Sequence, residues 1–274
     1  MKIGLIQHAC GPDRAVNLAR GLQAMADAKA EGASLVAFPE LAIDRFFPQR
    51  RDAPEAGCLA EPVPGPTTDA VARRAAELGL VTIFNLYERD LRSGRCFDSS
   101  PVFDADGSLL GVTRMIHITD YPGFHEQAYY SPGDLGAPVY DTRVGAVGVA
   151  ICYDRHFPEY MRALGLAGAE LVVIPQAGAV DEWPEGLYEA EVRTAAFQNG
   201  YFAALCNRVG TEEQLTFAGE SFVVDPSGRV IATGKRLEED LLIVDVDFSH
   251  CSSSHARRLF WRDRRPDLYR EWFS

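Results

Sequence analysis

The segment RVGAVGVAICYDRHFPEYMRALGL, from Arg143 to Leu166, decides how the rest of the chain is read. Gly145 to Ile151 is a short apolar run of valines and small residues, long enough for a buried strand and too short for a typical helix. Cys152 stands at its end. Beyond it, Pro158 takes a place in a first helical turn, where its missing N–H costs nothing, and Tyr160, Met161, Leu164 and Leu166 give the following helix an apolar face. A thiol at such a strand-to-helix turn projects from the sheet edge beside backbone N–H groups that lower its pKa and bind an oxyanion. A nucleophile is mounted in this way.

The same strand and helix grammar extends outward in both directions. Lys2 to Gln7 reads as a first strand, Asp13 as the cap of a helix that buries Val16, Leu18, Leu22 and Met25, and Gly32 as its stop. The buried strand Leu35 to Phe38 then delivers Pro39 and Glu40 to its carboxyl end, the edge where open α/β sheets place their sites. After a proline-rich surface excursion over residues 48–66, Thr67 or Thr68 caps a helix that runs to Leu78. Val81 to Tyr87, Cys96 to Phe103 and Leu109 to Arg114 read as successive strands. A long loop from His117 to Gly136 follows, and structureless loops of that length inside a compact domain are usually functional. Past the Cys152 unit come a strand from Leu171 to Pro175, a helix from Pro184 to Asn199, and strands at Phe202–Asn207, Ser221–Val224, Arg229–Ala232 and Leu241–Val246. The alternation implies α/β layers with sheets inside and helices outside, in one domain over residues 1–274. It does not say whether there is one sheet or two.

With 39 acidic against 27 basic residues and a net charge of −12, neither nucleic acid nor an anionic membrane is the expected partner. No apolar stretch has spanning length and the N-terminal run is too brief for a secretion signal, so a cytoplasmic protein is expected. The six cysteines stand singly, without a C-x-x-C pair, which argues against a disulfide framework or a zinc cluster.

Three strings bring Cys152 its companions: FPEL at Phe38–Leu41, the stretch Arg114–Asp134 that contains RMIHITD and GFHEQAYYSPGD, and AICYDRHFPE ending at Glu159. Together they resemble the nitrilase superfamily of carbon–nitrogen hydrolases. AALCNRVGTE (Ala203–Glu212) and FWRDRRPDLY (Phe260–Tyr269) are similar to its N-carbamoyl amidohydrolase branch, that of β-ureidopropionase and N-carbamoylputrescine amidase. The resemblance implies a four-layer αββα sandwich, paired into a homodimer through sheet-flanking helices and a C-terminal tail over residues 250–274. It implies a small-molecule amide or N-carbamoyl substrate and no cofactor or metal.

On the matching positions, Cys152 is the implied nucleophile, Glu40 the general base and Glu126 the second glutamate, with the Tyr153 N–H as an oxyanion donor. The family's lysine is different: in RMIHIT, Met115 takes its place, and the chain holds only Lys2, Lys29 and Lys235. Methionine neither donates to an oxyanion nor protonates ammonia. Loss of one such donor costs about 100- to 1,000-fold in rate, roughly 3–4 kcal/mol. His117 shares the strand parity of Met115 and is the nearest candidate to compensate, against its reading as a structural histidine. Arg155 either pairs a substrate carboxylate or is ion-paired to Asp154 or Glu159. Tyr121 and other loop aromatics are candidates to wall the pocket. Three functions stay open: amide or N-carbamoyl hydrolysis through an acyl-enzyme, acyl transfer to an amine, and a catalytically impaired homologue that binds a ligand or partner.

Overall fold

The computed structural model describes residues 1–272; Phe273 and Ser274, the end of the expected tail, lie outside the described residues. The first half of the chain builds most of one sheet: β1 (Lys2–Gln7), β2 (Ala33–Ala37), β3 (Val81–Ile83), β4 (Leu86–Arg89), β5 (Cys96–Phe103) and β6 (Leu109–Arg114). The helices α1 (Arg14–Ala30) and α2 (Pro66–Leu78) connect its parallel strands. The second half supplies β7 (Val139–Thr142), β8 (Gly145–Val149), β9 (Leu171–Gln176), β10 (Phe202–Asn207), β13 (Phe222–Val224) and β14 (Val230–Thr233). Here α3 (Pro158–Leu166) and α4 (Leu187–Asn199) are the crossovers, and β11 (Val209–Thr211) with β12 (Thr216–Ala218) forms a separate ribbon. β15 (Asp240–Asp245) returns to pair antiparallel with β1 and completes the first sheet.

Side-chain alternation sorts the residues into layers. Ile3, Leu5, Leu35, Ala37, Val81 and Ile83 of one sheet meet Val147, Val149, Leu171, Val173, Phe202 and Ala204 of the other in one apolar core. The alternate residues Ile6 and Val36 pack under Met25, Ala28, Val71 and Ala75 of α1 and α2. Val172, Ile174 and Ala203 pack under Tyr160, Met161, Leu164, Val192 and Ala196 of α3 and α4. The result is the expected αββα sandwich. Its central strands are covered on both faces, which is why they read as unbroken apolar runs that hide the number of sheets.

Local differences from the sequence reading have chemical causes. The strand expected over Val81–Tyr87 breaks into β3 and β4 at Phe84-Asn85, because the Asn85 carboxamide turns inward. It accepts the Leu41 N–H at 2.7 Å and donates to Asp98 Oδ1 at 2.6 Å and Ser100 Oγ at 3.1 Å. The α2 cap is Gly65, whose N–H donates to Thr68 Oγ1 at 2.7 Å, with Pro66 in the first helical position. The helix expected from Pro184 starts at Leu187. The tail beyond residue 250 begins by packing on its own chain: Arg257 donates to Gly165 O at 3.1 Å and stacks on Trp261, and Phe260 meets Phe197 of α4. Among the described residues no helix is long and apolar enough to cross a membrane.

Arg208 ties the two sheets together at the end where their parallel strands finish. It follows β10, is 1 % exposed, and donates to Glu40 O at 2.9 Å, Leu41 O at 3.0 Å and Asp44 O at 2.9 Å, all beyond β2. Glu212 Oε1 at 2.5 Å neutralises it, and the Phe217 ring lies 4.9 Å from its guanidinium carbon. Glu40, Leu41 and Asp44 are buried with it, so losing the donor leaves polar groups desolvated. Arg208→Met is therefore expected to cost roughly 3–5 kcal/mol, since it leaves buried acceptors and the Glu212 charge unmatched. The midpoint of urea unfolding measures it, and a loss below about 1 kcal/mol would place the tie elsewhere.

Candidate active site

Glu40 lies three residues past the end of β2 and Cys152 three past the end of β8, so the facing sheets bring two strand ends to one spot. Both turns are tight: Leu41 has φ 47° and Cys152 φ 44°, the left-handed region that side-chain-bearing residues rarely occupy. Glu126 arrives from the long loop, on the short 3-10 turn Glu126–Ala128. That loop is folded on itself, with Thr119 Oγ1 donating to Phe124 O at 2.9 Å, Gln127 N to Thr119 O at 3.1 Å, and Tyr130 N to Glu126 O at 2.9 Å. The sulfur of Cys152 and one oxygen each of Glu40 and Glu126 lie within 4.8 Å of one another, all three side chains buried. At that spacing they can share one proton or one small cation.

The thiol has one further polar neighbour. Gln176, the last residue of β9, donates from Nε2 to Cys152 Sγ at 3.2 Å. Its Oε1 accepts from Arg155 Nη1 at 2.9 Å, and the same Nη1 reaches Cys152 O at 3.0 Å. Arg155 is 4 % exposed, lies against the Tyr188 ring at 4.4 Å and faces Glu191 Oε2 at 3.4 Å. Its ion-pair partner is thus Glu191 of α4, neither Asp154 nor Glu159. Among the described residues Nη2 keeps no partner, and Nε has only the ion-pair contact to Glu191.

Burial and crowding set the protonation. Glu40 is pushed up to about 8, first by burial and then by the charge of Glu126, while the neighbouring Cys152 and Asp98 draw it partly back. Burial, then the charges of Glu40 and Glu126, hold the Cys152 thiol well above its ordinary range. Glu126 and Asp98 are likewise held well above the usual carboxylate range, by burial first and then, for Glu126, by the charge of Asp98 and, for Asp98, by that of Glu40. Like charges this close cannot all ionise without a cation.

Met115 follows β6 and is fully buried in the inter-sheet core with Cys152. Its N–H donates to Asp98 O at 2.9 Å, so the backbone ladder sets Asp98 and Met115 side by side. Gly133, at the return of the long loop, donates to Met115 O at 2.8 Å. A side chain there would start 2.4 Å from Arg114 O, so only glycine permits this approach.

His117 is not turned to the thiol. Its Nδ1 bonds Asp154 Oδ1 at 2.7 Å and its ring stacks on Phe157 at 3.5 Å, so of its two readings the geometry supports the structural histidine and not the compensating one. The tie matters for placement: Asp154, fully buried, also receives the N–H groups of Ile116 at 3.2 Å and His117 at 3.0 Å. It binds the segment after Met115 to the turn that carries Cys152.

Tyr121 donates to Glu182 Oε1 at 2.7 Å, and Tyr188 donates to Oε2 of the same carboxylate. The Tyr121 ring also meets those of Tyr153 and Trp183, at 6.3 and 5.8 Å, which builds an aromatic wall with an acid in it. Arg114 points away, to Glu88 and Asp134, as strand parity requires. Lys2 reaches Glu31 O, Lys235 lies beside Asp240 and Lys29 is exposed, all on the surface.

Sequence reasoning passed over Asp98, Gln176, Asp154, Glu182 and Arg208. Two of them carried a signal: Asp98 is a lone acid inside the apolar run CFDSSPVF, and Gln176 ends a buried strand as Glu40 does.

Known proteins give this arrangement its context. Residues 2–256 match the family model described as carbon–nitrogen hydrolase. The N-carbamoylputrescine amidase of Solanum lycopersicum is 33% identical over 282 residues, 98% of this chain and 93% of that protein. A carbon–nitrogen hydrolase from Helicobacter pylori G27 superimposes with a TM-score of 0.93 at 30% identity, over 100% of this chain and 98% of that one. A glutamate-to-glutamine mutant of an amidase from Nesterenkonia sp. AN1 superimposes with a TM-score of 0.81 at 27% identity, covering 100% of this chain and 100% of its own, and its active-site cysteine carries a Michael adduct of acrylamide. The chain therefore belongs to the carbon–nitrogen hydrolase family, the nitrilase superfamily.

Proposed function

We propose that the protein is a cysteine-dependent amidohydrolase that opens the C–N bond of a small amide or N-carbamoyl compound through an acyl-enzyme on Cys152. The convergence of Cys152, Glu40 and Glu126 within 4.8 Å at two strained strand ends carries this reading. Glu40 takes the thiol proton as sulfur attacks, and a glutamic acid returns a proton to the leaving nitrogen. Gln176 Nε2–H supports the thiolate, and the Tyr153 N–H, the donor that the family resemblance implies, serves the developing oxyanion. Water then repeats the sequence and frees the thiol. The reading includes a cytoplasmic homodimer joined through sheet-flanking helices and the tail.

Cys152→Ala should abolish ammonia release from a panel of small amides and ureido compounds, and intact mass should show an acyl adduct on the wild type. Absence of both Cys152-dependent release and adduct from every probe would sink the reading. If Met115 lies where an ammonium once stood, Met115→Lys should raise turnover of a neutral amide by about 100-fold, the worth of one oxyanion donor.

The protonation of Glu40 gives a separate test. Below its pKa of about 8 it holds a proton and cannot take another, so alkylation of Cys152 by iodoacetamide should rise with pH up to about 8 and then level. In Glu40→Gln the rise should move to the higher pH of the thiol itself. Folding has a matching sign. Folded Glu40 stays protonated where an unfolded glutamate has ionised, so stability falls as pH rises from the ordinary carboxylate range through about 8. The Tm of Glu40→Gln should exceed that of the wild type at about pH 8.5, by the equivalent of a few kcal/mol, and by much less near pH 5.

A further inference from the structure

Around Cys152 the described residues gather more acid than cation. Glu40, Glu126 and Asp98 are each fully buried, and both oxygens of the glutamates and Oδ2 of Asp98 lack a well-formed hydrogen bond among the described residues. The Tyr130 hydroxyl, 4 % exposed and close enough to feel all three acids, is also without a partner. The guanidinium groups nearest the thiol and Glu40 spend most of their N–H groups elsewhere: Arg155 on Gln176, the Cys152 carbonyl and the Glu191 ion pair, with Nη2 left over, and Arg208 on carbonyls and Glu212, with Nε left over. Met115, next to Asp98 on the ladder, is apolar and uncharged. Three acids with, among the described residues, no lysine and only leftover guanidinium N–H groups near them make a poor surface for an oxyanion and a good one for a planar cation with several N–H groups.

We propose that the electrophile is the carbon of an amidinium or guanidinium group, with Glu40, Glu126 and Asp98 accepting its N–H groups while Cys152 attacks that carbon. The assignment rests on the nucleophilic role of Cys152 proposed above and narrows the substrate from neutral amides to their cationic nitrogen analogues. It also accounts for Met115. Attack on an amide carbon creates negative charge on oxygen, which needs a cationic donor; attack on an amidinium carbon removes a positive charge, and an ammonium in the pocket would repel the substrate.

The steps balance. Glu40 takes the Sγ proton, the S–C bond forms, and the C=N π pair moves onto nitrogen, giving a neutral tetrahedral carbon. The glutamic acid protonates one amino group, the C–N bond breaks with its pair on the departing ammonia, and the remaining nitrogen restores a cationic C=N bond to the S-linked carbon. Water adds to that carbon and loses a proton to a carboxylate, the new C–O bond becomes C=O, and the C–S bond breaks with the thiol regaining its proton. One water is consumed; an amidine becomes an amide, a guanidine becomes a urea, and the ammonia leaves as ammonium.

Isosteric pairs test this on the intact protein: acetamidine against acetamide, methylguanidine against methylurea, and 2-chloroacetamidine against 2-chloroacetamide as labels of Cys152. The amidinium member should show at least 100-fold higher kcat/KM for ammonia release, and its label should react at least 10-fold faster by intact mass. Asp98→Asn, which keeps shape and the Asn85 contact, should cut that preference at least 10-fold, and Met115→Lys should reverse it. Should either variant fail to fold, the wild-type pairs decide alone. Hydrolysis of acetamide or methylurea with no preference for the cation overturns the substrate assignment and leaves the amidohydrolase reading standing. No Cys152-dependent reaction with either member of any pair overturns both.

Discussion

The fold depends on a cation that touches no solvent. Two sheets packed face to face must end somewhere, and at the carboxyl ends of β2 and β10 the backbone leaves the ladders with carbonyls still buried. Arg208 meets three of them from across the sandwich and is itself neutralised by Glu212. A lysine could not do this, because it lacks the planar fork that reaches Glu40, Leu41 and Asp44 together. The clamp holds the backbone of Glu40 while its side chain points at the thiol. Fold stability and site geometry therefore share one residue, which stands in neither the nucleophile string nor the FPEL string.

Once the strand ends are pinned, the remaining problem is charge. Asp154 is buried too, yet it is well served: its acceptors receive two backbone N–H groups and the His117 ring, which offset the cost of burial. Among the described residues both oxygens of Glu40 and Glu126 lack a well-formed hydrogen bond, and Asp98 has one donor, Asn85, on Oδ1 alone. The contrast separates two kinds of buried acid in one pocket. Asp154 ties the Met115 segment to the Cys152 turn and is saturated. The other three keep acceptor capacity in reserve, and burial holds them protonated until a cation or a proton acceptor arrives.

Sequence made the layers, the strand ends and the trio Cys152, Glu40 and Glu126 legible, because apolar runs and strand-to-helix turns depend on local chemistry. The surroundings of the trio depend on non-local contact, and there sequence was silent. An aspartate in mid-strand such as Asp98 is usually a solvated residue; only the turn of Asn85 that breaks β3 from β4 shows that this one faces inward. His117 was ambiguous for the same reason: parity sets its face of the strand, but Asp154, 37 residues away, captures its ring. Gln176 and Arg155 act as a relay to the thiol only because β8 and β9 run in parallel register, which sets Cys152 and Gln176 each three residues past the Val149–Val173 pair.

Met115 looks like a defect when counted alone, since an apolar side chain replaces the charge that the resemblance leads one to expect. Counted with Asp98 it looks different. The two residues are neighbours across the β5–β6 ladder, one uncharged and the other a buried acid, and neither brings positive charge to the thiol. A site drifting out of use has no reason to retain a desolvated carboxylate beside two others, because each costs stability unless it is protonated or matched. A site that receives its positive charge with each substrate has that reason. The thiol at its strained turn, the unmatched acids and the silent methionine are then parts of one arrangement, completed by the molecule it binds.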